Sequence, residues 1–224
     1  MSVASRGSFV AAFALSLVAL QTEFWRLMKA TLSSIARTGV AALLSIAFVG
    51  AAVHAAERAI DKEIIVPAGL DAAWAAWTTR DGITSFFAPD AVIDARAGGA
   101  FHIHINPLAE PGMKGADDMR FLAVQPKQMI TFDWNAPPHL LEARAQRTVV
   151  IVRFAAVDDK RTLVTLHHVG WGNGGEWDKT YTYFDRAWGN VLANMKKRFE
   201  TGPTDWTTWL AQLKKMRDDA AAKK

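Results

Sequence analysis

The stretch WDKTYTYFDRAWGNVLANMKKRFETGP, residues 177–203, decides the fold. Phe184, Trp188, Val191, Leu192, Met195 and Phe199 stand at i, i+4, i+7, i+8, i+11 and i+15, which is one apolar stripe on an α-helix. The opposite face carries Arg186, Asn190, Asn194, Lys197 and Arg198, and Thr201-Gly202-Pro203 stops the pattern. A helix of that length with one greasy side must lie against something, so the question passes to what precedes it.

Upstream, the period is two rather than 3.6. Residues 91–96, 100–106, 119–124, 129–134, 148–157 and 161–169 read as strands separated by turn residues, with Asp158-Asp159-Lys160 as a tight link. Short links between consecutive strands predict antiparallel pairing. Ahead of them, Lys62 to Val66 reads as a strand ended by Pro67 and Gly69. Leu70, Ala73, Trp74 and Trp77 then recur at helical spacing, and Ile83 to Phe87 suits one more helical turn. The linkers 107–116 and 136–146 are longer and hold Pro or Gly, which suits mobile loops over a cavity mouth. The class is α+β. A last amphipathic piece, with Trp206, Trp209, Leu210 and Leu213, reads as a short accessory helix that packs on the body or makes an oligomer contact.

Half of the 224 residues are hydrophobic and 21% are charged, so the chain can bury a substantial core. The net charge of +4 comes mostly from residues 1–55, which hold Arg6, Arg26, Lys29 and Arg37 against Glu23 alone. The remaining 22 basic and 21 acidic residues give no electrostatic footprint for a phosphate backbone, so nucleic acid is not an expected partner. The absence of cysteine excludes disulfides, thiolate metal sites and cysteine nucleophiles.

Residues 1–55 read as a leader. Lys29 and Arg37 precede an apolar run, Val40 to Val53, and Val53-His54-Ala55 places small residues where a signal peptidase needs them. Residues 28–55 therefore fit a secretory signal peptide, with Met28 as an alternative start. A retained membrane anchor is the competing reading, because Thr38 to Ala56 carries no charge over 19 residues. In both cases the body is expected outside the cytoplasm, periplasmic or secreted, or attached to a membrane through the leader.

Strand, helix, antiparallel strands and a long C-terminal helix resemble the START-like, or SRPBCC, helix-grip superfamily. Ala72-Ala73-Trp74-Ala75-Ala76-Trp77, Gly98-Gly99-Ala100-Phe101 and Ile130-Thr131-Phe132-Asp133-Trp134 are similar to its first-helix, glycine-glycine and aromatic-strand motifs. Thr162 to Leu166 with His168, then Gly170-Trp171-Gly172 and Glu176-Trp177, resemble the branch named after the activator of heat-shock protein 90 ATPase homologue. The resemblance covers about residues 61–202. It implies a curved sheet gripping the long helix with an apolar cavity between them, a domain over 56–202 and an extension over 203–224. The superfamily includes ligand carriers, polyketide cyclases, small-molecule hydrolases and chaperone cofactors, so function has to come from the site.

The candidate residues point to binding. Ligand cavities are lined by apolar and aromatic groups with few polar ones, and the chain has nine tryptophans. Phe101, Phe132, Trp134, Trp171 and Trp188, with His168 as the polar group, belong to elements that face the grip. The expected partner is a small hydrophobic molecule; an enzyme of cyclase or hydrolase type using the same cavity through His168, and a chaperone-cofactor domain, are the alternatives. No cofactor is expected. His102 and His104 leave one strand face about 7 Å apart, a spacing that can serve a metal with His168 as a third ligand. Phe101, Ile103 and Ile105 read as the core face of that strand, however, so an outward histidine pair is the expectation and no metal site is assigned. Asp133 alternates with aromatic neighbours and reads as solvent-facing. Glu176 and Asp178 suit the dipole at the start of the long helix.

Overall fold

The computed structural model describes residues 57–222, so the leader over 1–55 and its two readings lie outside the described residues. Strand β1 spans Ile60–Val66, and Pro67 and Gly69 turn the chain into α1, Leu70–Thr78, and α2, Arg80–Thr84. Strands β2 (Asp90–Ile93), β3 (Phe101–His104), β4 (Gly115–Ala116), β5 (Phe121–Gln125) and β6 (Met129–Trp134) follow. A single turn of helix, α3 (Leu141–Arg144), leads into β7 (Thr148–Asp158) and β8 (Arg161–Val169). Helix α4 (Gly175–Thr201) and helix α5 (Thr207–Ala221) complete the order.

All strand pairs are antiparallel, in the orders β1-β8-β7-β6-β5 and β2-β3-β4. The two sheets meet where Ala100 bridges Arg120, flanked by Phe101 N–H on Met119 O and Phe121 N–H on Gly99 O, 2.8 and 2.9 Å. The antiparallel pairing expected of consecutive strands holds through β2 to β4 and from β5 to β8, with the break between sheets falling after β4, a strand not anticipated, and β1 joins by pairing with β8. Period-two burial follows the pairing: in β6, Ile130, Phe132 and Trp134 are buried while Met129, Thr131 and Asp133 are partly exposed. One face of the sheet is thus apolar, and α4 covers it.

The stripe read from the sequence is the face that docks: Phe184, Trp188, Leu192 and Met195 are buried, and Val191 and Phe199 pack at its margin. Each fully buried side chain of this kind is worth about 1.5–3 kcal/mol relative to exposure, so the stripe carries much of the hold between layers. Glu176 and Asp178 lie in the first turn, where acids suit the dipole. At the other end the chain leaves α4 through Gly202 at φ +99°, a conformation that disfavours side chains, with its N–H on Arg198 O at 3.0 Å.

The extension packs on the body through indole anchors rather than through a broad apolar face. Trp206 Nε1 donates to Thr84 O at 2.6 Å and Trp209 Nε1 to Ile105 O at 2.9 Å, and of α5 only Leu213 is buried. This corrects the reading of Ile105 as core: β3 ends at His104, and Ile105 is 36% exposed. No helix of the described residues is long and apolar enough to cross a membrane.

Helices α1 and α2 meet with no room for a side chain at Gly82. A Cβ there would fall on the Ala75 carbonyl oxygen and lie 2.6 Å from Ala76 Cα. Gly82→Ala should destabilise the domain by about 1–3 kcal/mol through forced backbone displacement, read as a lower midpoint of urea unfolding at unchanged slope.

Candidate functional site

The interior between the sheet and α4 is built from the aromatic residues that the strand and helix periods direct inward. Phe101, Phe132, Trp134, His168, Trp171 and Trp188 are all buried there. They meet one another: Phe101 and Phe132 have ring centroids 4.0 Å apart, Trp134 and Trp188 5.2 Å, and His168 and Trp171 4.1 Å. Phe87 and Phe184 complete the cluster, 6.1 and 6.3 Å from Trp134. The six candidates thus form one contiguous group, with each ring packed on its neighbours.

His168 sits at the centre of a directed hydrogen-bond chain. The indole N–H of Trp188 can only donate, and it lies 2.8 Å from His168 Nδ1, so Nδ1 must be the acceptor. The ring proton is therefore on Nε2, which donates to Thr148 Oγ1 at 2.7 Å, and the Thr148 hydroxyl in turn donates a hydrogen bond to Trp134 O at 3.2 Å. Trp171 Nε1 closes the group on His168 O at 2.9 Å. Desolvation, with a smaller push from His167, holds the imidazole neutral and lowers its pKa from 6.5 to about 3. Both ring nitrogens are engaged, so His168 supplies neither a free base nor a metal ligand. Adjacent His167 points the other way and meets Asp61 Oδ1 at 2.6 Å.

Trp134 is the exception in this cluster. Its Nε1 is buried and has no hydrogen-bond partner, whereas the indoles of Trp77, Trp171, Trp188, Trp206 and Trp209 all find one. An unpaired buried donor costs about 1–3 kcal/mol.

The chain beyond Trp134 is clasped by Arg144. Its guanidinium donates to Ala136 O, to Gly112 O at 2.6 Å and to Gly115 O at 2.8 Å. Asn135, with its amide oxygen turned inward, accepts from the same group at 3.1 and 3.3 Å. Asp117 Oδ1, buried and without a hydrogen bond, faces the guanidinium at 3.9 Å, while Oδ2 is engaged by Gly112 N–H and Lys114 N–H. The two linkers read as mobile loops are therefore fastened to each other through a half-buried arginine, and the second is held to α4 by Ala143 N–H on Glu176 Oε2 at 3.1 Å.

The remaining titratable candidates sit outside this cluster. His104 Nδ1 lies 2.8 Å from Asp90, which also receives Arg80. Burial raises the Asp90 pKa, but the hydrogen bonds from His104 and Arg80 outweigh it and leave the carboxyl below its ordinary range. His102, 6.3 Å from His104 between ring centroids, is pushed down by burial and by His104. Among the described residues no group of three or more His, Asp or Glu side chains is placed to hold a metal ion. Asp133 is only partly exposed, because it accepts from Arg120 N–H at 2.5 Å. Asp178 pairs with Arg58 at 2.6 Å.

A curved antiparallel sheet closed over a long C-terminal helix, with an aromatic interior, defines a helix-grip protein of the START-like type. Residues 67–200 match the model of the family described as Activator of Hsp90 ATPase homolog 1-like protein, and the chain belongs to that family. Among solved structures, protein MLL2253 from Mesorhizobium loti aligns with TM-score 0.52 and 16% identity, over 66% of this chain and 100% of its own. The Aha1 dimer from Colwellia psychrerythraea aligns with TM-score 0.50 and 18% identity, over 65% and 98%. DynU16, described as a putative protein in the dynemicin biosynthetic locus, aligns with TM-score 0.50 and 17% identity, over 65% of this chain and 48% of its own. At these identities the likeness is one of fold. No curated protein matches the chain.

The pKa of His168 gives a measurable signature. Because the folded value lies below the unfolded one, the unfolded state binds the extra proton between pH 6.5 and about 3. The contribution is fully present above pH 6.5 and is lost as the pH falls through that window. Stability should drop there with a slope approaching 1.4 kcal/mol per pH unit from this residue, and urea titrations should show a shallower slope in His168→Gln.

Proposed function

We propose that this chain is an exported binding protein for a small hydrophobic molecule that carries a hydrogen-bond acceptor. The observation that supports it best is the orphaned indole N–H of Trp134, set among Phe87, Phe101, Phe132, Phe184 and Trp188. An apolar interior with one unspent donor suits a ligand with a carbonyl or ether oxygen, which would recover the cost of the unpaired group. Since the rings are in contact, the ligand enters by parting them, and the segment from Asn135 to Arg147 next to Trp134 is the piece whose release from the Arg144 clasp would admit it. The basic start, apolar middle and small residues at Val53 and Ala55 support export.

Binding is preferred over catalysis because His168, the titratable side chain at the centre of the cluster, has both nitrogens committed and stays neutral. A general base would have to leave one of these partners first.

Denaturing the purified protein and analysing the extract by mass spectrometry should release a hydrophobic, oxygen-bearing compound. Trp134→Phe, which keeps a ring and removes the donor, should weaken its retention about tenfold or more. An empty extract, together with equal retention of added aromatic ketones by both proteins, would remove the proposal. For export, the mature protein should begin at Ala56 by intact mass and fractionate outside the cytoplasm; a cytoplasmic protein with its leader intact would restore the chaperone-cofactor reading.

A further inference from the structure

Helix α4 carries a second stripe beside the buried one. Glu176, Lys179, Tyr183, Arg186 and Asn190 fall at i, i+3, i+7, i+10 and i+14, so they line one flank of the helix. Facing them, His139 and Leu140 come from the segment that Arg144 clasps, and the space between is a groove of about 690 Å³. That is the size of ordinary small-molecule sites, about 300–1,000 Å³. The groove opens to solvent, and its helix residues are not those of the aromatic interior.

Its charge is asymmetric for a specific reason. The acids that precede its two cations along α4 project to another face and are neutralised there, Asp178 by Arg58 at 2.6 Å and Asp185 by Lys62 at 2.7 Å. Lys179 and Arg186 are exposed and form no ion pair with any described residue. Glu176 also lines the groove, but its Oε2 is turned to the Ala143 amide, 3.1 Å away. Between the cations stands Tyr183, 51% exposed, with Leu140 and Ala187 as the apolar wall. The two cations are separated by about 10 Å of helix rise, within the combined reach of their side chains over the tyrosine ring.

We propose that this groove is a binding site for a molecule with a flat apolar body and one terminal oxyanion. The body lies on Tyr183 and Leu140, and the oxyanion is held between Lys179 and Arg186. The groove uses helix residues other than the buried stripe, and it adjoins the interior at one point, where the Tyr183 ring packs edge-on against Phe184 with centroids 5.0 Å apart.

The test uses the full chain and three probes: 2-naphthoate, 2-naphthyl phosphate and the neutral 2-naphthalenemethanol. Calorimetry should show binding of at least one anionic probe, weakening as salt is raised, and about tenfold weaker in K179Q/R186Q, as expected for two solvent-exposed ion pairs. The neutral probe should bind weakly and equally to both proteins. Amide shift changes should centre on Leu140 and Tyr183, and Tyr183→Ala should weaken the anionic probe without altering the fold, since the ring is at the surface. Carboxylate-only or phosphate-only binding would each support the site and name its oxyanion. Absence of anion binding, unchanged affinity in K179Q/R186Q, or shift changes centred on Trp134 and His168 would each overturn it.

Discussion

The structure turns on a single buried contact, the indole N–H of Trp188 on the imidazole of His168. A donor buried without an acceptor is expensive, so the helix must present Trp188 at the one place on β8 where an acceptor nitrogen waits. That requirement sets both the rotation of α4 about its axis and its height along the sheet, which hydrophobic contact alone leaves loosely specified. It also fixes the histidine tautomer, and through it the hydroxyl of Thr148 and the carbonyl of Trp134. Three strands and the helix are thus joined by one proton-ordered line.

Much of this was legible in the sequence because it depends on period. The stripe from Phe184 to Phe199 and the alternation through Ile130, Phe132 and Trp134 each admit one burial pattern, and the structure has it. His168 could be placed on the inward face of its strand by the same rule. Its partners could not: Thr148 lies 20 residues away at the start of β7, and nothing local marks it as the acceptor. Ile105 was misread because the alternation was carried one residue past the end of β3, where the Trp209 anchor takes its carbonyl instead.

The loops show the same limit. Gly and Pro in 107–116 and 136–146 announce irregular backbone, and irregular backbone leaves carbonyls to be satisfied. What satisfies them is a side chain from a later turn of chain, Arg144, collecting four oxygen acceptors across both segments. Such an arrangement depends on tertiary approach alone. The flank of α4, by contrast, did leave a trace, in a tyrosine spaced between two cations on a second stripe.

Arg58 and Lys62 bear a relation to that flank that distance along the chain conceals. By pairing with Asp178 and Asp185 they neutralise two acids of α4, which leaves the charges of Lys179 and Arg186 less compensated on the flank beside them. Loss of Arg58 and Lys62 would leave both carboxylates without their counter-ions and lower the positive potential along this stretch of the helix. The electrostatic character of the helix flank is therefore set in part by two cations 120 and 123 residues earlier in the chain than the acids they hold.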